Sequence, residues 1–149
     1  MKLPFSQLLL LILSASSLLG KNLVNVDSKG VGIKGYDPVA YFTDHAAMKG
    51  NPSLSSTNGG AVYFFSSADH KSAFDANPSK YEPQFGGFCA YGVSRASLIE
   101  IDPNAFQIVD GQLLLQYSKG VMAKFNKDQA ALLQKANANW PVLLDKKGK

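Results

Sequence analysis

Apolar and polar positions change period several times along this chain, and each change marks an element. Over Leu23–Val26 a brief alternation predicts one edge strand inside an irregular lead-in of residues 21–34. Gly35-Tyr36-Asp37-Pro38 predicts a turn, because Pro38 fixes its own φ and pushes Asp37 out of the α region. Val39-Ala40-Tyr41-Phe42 continues as a short apolar segment. Residues 43–60 hold His45, Gly50, Pro52 and a Ser/Thr/Asn/Gly cluster, which predicts a loop with a turn at Asn58-Gly59.

Ala61-Val62-Tyr63-Phe64-Phe65 is rich in β-forming side chains and predicts a strand. Ser66 or Ser67 then caps a helix running to about Ala76, with Asp69 in its first turn. Asn77-Pro78 stops that helix, and Ser79-Lys80-Tyr81 adds one further turn. Phe88–Val93, entered through Gly86-Gly87, reads as a second strand. Phe106–Val109 and Leu113–Tyr117 flank Asp110-Gly111, the strongest hairpin signal in the chain, since a type I′ turn needs positive φ at both positions. Ser118 caps a final helical region with the stripe Val121, Phe125, Leu132, Leu133 and Ala136, broken near residues 126–128. Trp140–Leu144 reads as an apolar tail that packs back. Strands and helices mix without βαβ regularity. The expected class is therefore α+β, a small mixed or antiparallel sheet with flanking helices in a single domain.

The first 20 residues follow a different rule. Met1-Lys2 is a short positive start, Leu8–Leu13 is densely apolar, and Ser14–Ser17 and Gly20 are small. That order is the one found in secretory signals, and the apolar stretch is short for a membrane span of ~20 residues. An uncleaved anchor is the alternative. Cleavage falls after Ser17 or Gly20, and no nearby cysteine could carry a lipoprotein anchor. The expected organisation is a signal over 1–20, a domain over 21–145 and a frayed basic tail over 146–149. The setting is periplasmic or secreted, with no stable membrane insertion after cleavage.

Composition narrows the function. Hydrophobic residues make up 46% of the chain, enough to build a core without disulfides. The net charge of +4 draws on Lys2 and on Lys146, Lys147 and Lys149, and Arg95 is the only arginine. Nucleic-acid binders gather Lys and Arg on one face, so no nucleic-acid partner is expected. Cys89 is the only cysteine, so no internal disulfide forms. A lone thiol in an oxidising compartment is buried and inert, paired with another chain, or reactive.

Taken together, Gly35–Phe42, Tyr63–Ser66, Phe74, Pro78, Lys80-Tyr81, Gln84–Tyr91, Val109–Gly111 and Ala138–Pro141 resemble the YHS-domain family in a longer, exported form. The resemblance spans nearly all of residues 21–145. Shorter members resemble a metal-binding treble-clef-like unit, with a cysteine after Asp-Pro-Val and a Cys-x3-Cys pair after the aromatic strand. At those positions this chain carries Ala40, Ser66 and His70, so two of the three implied ligands are replaced by residues that are not metal ligands of that kind.

Three chemistries remain open. Soft donors for copper or zinc are Cys89, His70, His45, Met48 and Met122, with Cys89 and His70 the preferred metal pair. The bland reading places His70 on an exposed helix face and Cys89 in the core. A thiol enzyme would use Cys89 activated by His70, with Asp37 orienting the imidazole. No hydrolase, phosphate-loop or paired-carboxylate motif accompanies them, and the chain is read as non-enzymatic. A small-ligand or partner-binding module would use Asp37, Tyr36, Tyr41, Tyr91 and Lys80, because tyrosines offer an apolar wall with a polar tip. The bland alternatives are core tyrosines, an Asx turn at Asp37 and a surface ion pair for Lys80. The expected function is an extracytoplasmic YHS-like binding protein for a copper or zinc ion, or else a non-metal ligand or interaction module.

Overall fold

Two hairpins organise the chain, and local chemistry sets both. The computed structural model describes residues 21–149. The expected signal and its expected cleavage positions lie outside the described residues. β1 (Asn51–Asn58) pairs antiparallel with β2 (Ala61–Phe65), turning through Gly59 and Gly60 at φ 58° and 89°. A register shift between Asn51 and Ser55 bulges β1. β3 (Asp102–Val109) pairs antiparallel with β4 (Gln112–Gln116) through Asp110-Gly111, whose φ values of 51° and 75° are the positive pair that a type I′ turn needs. The two hairpins form separate two-stranded sheets in an α+β fold, not one sheet.

Among the described residues six α-helices cover them: α1 (Ala40–Thr43), α2 (Ala68–Ala76), α3 (Pro78–Tyr81), α4 (Ala90–Ser94), α5 (Lys119–Asn126) and α6 (Gln129–Lys147). Ser67 caps α2 by accepting the His70 amide, and Ser118 caps α5 by accepting the Val121 amide. α6 follows a short break at Lys127-Asp128, where the expected interruption falls.

Five segments differ from the sequence reading. Residues 51–58 are a strand, because a polar, Ser/Thr-rich segment pairs readily when β2 supplies the buried face. The expected strand at Leu23–Val26 is reduced to one isolated bridge, Val26 to Gly32. Phe88–Val93 is not a strand: from Ala90 the chain coils into α4, and short apolar runs carry no period that separates the two. The Trp140–Leu144 tail is helical and belongs to α6, which continues through Pro141 to Lys147. Pro141 removes one amide donor from the helix, but Pro141 and Asn137 are both exposed, so water can satisfy the freed carbonyl. The basic end is likewise not frayed, since Lys149 exchanges backbone hydrogen bonds with Asn22 at 2.9 Å each way.

β4 divides the interior, because successive strand residues point to opposite faces. Leu113 and Leu115 join Tyr41, Tyr63, Phe65 and Phe74 in one core, whereas Leu114 joins Phe85, Val93, Phe125 and Leu143 in a second core under the helices. Asn139 of α6 donates to the Val93 and Ser94 carbonyls at 3.0 and 3.1 Å, which closes the C-terminal end of α4. Among the described residues no helix is long and apolar enough to cross a membrane.

Candidate functional site

Asp37 is fully buried, and five donors converge on its carboxylate. Oδ1 accepts the amides of Val39 (2.8 Å) and Ala40 (3.3 Å); Oδ2 accepts the Ser66 amide (2.8 Å), the Ser66 hydroxyl (2.7 Å) and His70 Nδ1 (2.6 Å). Burial alone would push the Asp37 carboxyl up, but the hydrogen bonds from Ser66, His70 and Val39 together hold it below the ordinary value. With Asp37 ionised, the network assigns the hydrogen to His70 Nδ1. That leaves Nε2 beside the Thr43 hydroxyl at 3.2 Å and Asp44 Oδ2 at 3.4 Å. One carboxylate thus ties the start of α1, the end of β2 and the first turns of α2.

Cys89 is 1% exposed and belongs to another network. Its thiol donates to Gln116 Oε1 at 3.3 Å, and its sulfur accepts the Tyr117 amide at 3.3 Å. Gln116 Oε1 also accepts the Tyr91 amide at 3.0 Å, while its buried Nε2 has no partner among the described residues. The metal pair expected from the sequence is not brought together: Cys89 and His70 share no hydrogen-bond partner and no cavity. Nor are three or more His, Cys, Asp or Glu side chains gathered as a metal site among the described residues.

The expected ligand-binding residues also separate. Tyr41 is buried, donates to the Pro103 carbonyl at 2.8 Å and packs on Phe106. Tyr36 carries the Lys49 ammonium 5.4 Å from its ring centroid, and Lys80 lies 5.2 Å over Tyr81 instead of pairing with an acid. Asp37 is consumed by the network above. Tyr91 alone of these five lines the cavity that Cys89 floors.

That cavity measures about 420 Å³ and is walled by Tyr91, Arg95, Ile99, Tyr117 and Val121. α4 supplies Tyr91, and the turn after it supplies Arg95, Ser97 and Ile99. Gly92 keeps this turn tight: a Cβ there would meet the Ile99 side chain at 2.7 Å. Arg95 sits 5.8 Å over the Tyr91 ring and pairs with no acid among the described residues. Ile99 and Tyr117 remain 39% and 56% exposed. Apart from Tyr91 and Cys89, the sequence reading missed this wall. Its one available signal was the lone arginine, four residues after Tyr91 and so on the same helical face.

No protein-family model, curated protein or solved structure matches this chain.

Proposed function

We propose that this protein is a non-catalytic binding module that holds a small, mainly apolar ligand bearing one anionic group in the Tyr91–Arg95–Tyr117 cleft. The carrying observation is the convergence of two exposed apolar side chains, Ile99 and Tyr117, on one recess beside the only guanidinium of the chain. The cleft volume suits a small organic molecule. Its apolar walls favour burial of a ring or short chain, and Arg95 offers paired donors for a carboxylate. The buried Cys89–Gln116 contact serves as the rigid floor. The export signal and the YHS-like motifs are part of this reading, which sets the module in the periplasm or outside the cell.

A competition between an acid and its neutral amide tests this directly. Wild-type protein is expected to bind 4-phenylbutyrate more tightly than 4-phenylbutyramide, and Arg95→Gln to lower acid affinity about tenfold while leaving the amide unchanged. Equal affinity for acid and amide in the wild type would remove the anionic part of the reading.

The transition-metal reading, copper or zinc, keeps one supporting observation. A carboxylate that fixes one histidine nitrogen leaves the other free as a ligand, and Asp37 does this to His70 beside Asp44. This arrangement offers two protein donors. Titration with Zn(II) and Cu(I) separates the cases. Because its thiol has no second donor, Cys89→Ser is expected to leave any uptake unchanged. Tight one-to-one uptake that disappears in Cys89→Ser would restore the thiolate site.

A further inference from the structure

A second recess lies on another part of the molecule, between residues 21–24, the Pro83–Gly86 turn and Trp140. It measures about 380 Å³. We propose that this recess binds a small alkylammonium ion, with Glu82 as its counter-charge and Tyr63, Phe85 and Trp140 as its aromatic walls.

Three observations converge. Glu82 is the only acid in the lining. It is half-buried, accepts one side-chain hydrogen bond, from Asn58 Nδ2 at 2.7 Å, and has no cation partner among the described residues. The one cation in the lining, Lys21, is already engaged by the Asp145 carbonyl at 2.8 Å and its carboxylate at 3.2 Å. Secondly, Tyr63 is 3% exposed, lines the recess and makes no side-chain hydrogen bond among the described residues. Its hydroxyl feels the Glu82 charge, which adds to burial in pushing its ionisation up. Thirdly, two further aromatic rings stand in the lining beside Leu23, Val24, Pro83 and Leu144: Phe85 and Trp140 meet edge-on at 6.1 Å.

A half-buried carboxylate with a single hydrogen bond lacks a partner for its charge. Burial pushes the Glu82 carboxyl up, and the Asn58 contact only partly opposes this. An ammonium ion supplies the missing charge, and its alkyl groups gain from aromatic faces that attract cations. A neutral ligand would gain only the apolar contact. A carboxylate ligand would meet repulsion from Glu82.

Choline and its uncharged carbon isostere, 3,3-dimethylbutan-1-ol, test the proposal on the purified protein by calorimetry and amide chemical-shift mapping. Choline is expected to bind at least about tenfold more tightly than the isostere and to shift amides of residues 22–24, 82, 84–86 and 140. Glu82→Gln, which keeps a carbonyl for Asn58, is expected to abolish the preference. Tyr63→Phe, which keeps the ring, is expected to retain the preference for choline over the isostere. Lowering the pH should weaken choline binding as Glu82 takes up a proton. Equal binding of both compounds, no binding of choline, or shifts confined to other regions would overturn the proposal.

Discussion

Asp37→Asn is expected to destabilise the protein by on the order of 3 kcal/mol, lowering the Tm by about 10 °C at neutral pH. The amide keeps the shape but replaces an acceptor oxygen with a donor. That donor faces either the Ser66 and His70 hydrogens or the Val39 and Ala40 amides, so buried donors lose their partner in both orientations. The pH dependence has a definite sign. Asp37 is held below its unfolded value of about 3.9, so its contribution is fully present above that value and fades as pH falls through the lower folded one. The wild-type advantage over Asp37→Asn should therefore shrink as pH falls below about 4. Denaturant melts of both proteins across pH measure it. An advantage that grows as pH falls below about 4 would contradict the assignment.

Gly86→Ala is expected to be comparably damaging, about 3 kcal/mol, for a different reason. Gly86 has φ 60°, and a Cβ there would overlap the Leu23 carbonyl oxygen while touching Trp140 at 3.1 Å. The segment 21–25 must then lift, which breaks the 2.8 Å bond from the Asn25 amide to the Gly86 carbonyl. Gly59→Ala is the control: its φ of 58° is similar, yet nothing lies within 4 Å of its added methyl. Backbone strain alone predicts about 1 kcal/mol there. Thermal melts together with hydrogen exchange at residues 22–25 separate the effects. Loss of protection at that segment is expected in Gly86→Ala only, and equal behaviour of the two variants would refute the clash.

What was legible in the sequence is what local chemistry decides. Asp110-Gly111, the Ser118 cap, a cap at Ser66 or Ser67 and the break before α6 each follow from a few neighbouring residues, and each forms, with Ser67 taking the first cap. The misread segments depend on distant partners. Phe88–Val93 has the apolar content of a strand, but Asn139, 46 residues after Val93, receives the end of α4 and holds it as a helix. Pro141 carries a stop signal that exposure to water neutralises. The site was less legible for the same reason. Asp37 and His70 were both singled out, and they meet across 33 positions, though as an internal tie. Cys89 was singled out for chemistry, yet its sulfur is committed to Gln116 and Tyr117, neither of which has a local signal. Tyr117 follows a run of four buried residues, and only the fold reveals that it stands exposed beside Arg95 and Ile99.

The most direct test maps where a small apolar anion settles. In a 15N-labelled sample titrated with 4-phenylbutyrate, saturable amide shifts are predicted at Tyr91–Ile99 and at Tyr117–Val121, and they should be lost in Arg95→Gln. Shifts centred on the His70 end of α2, or none that saturate, would contradict the cleft as the binding site.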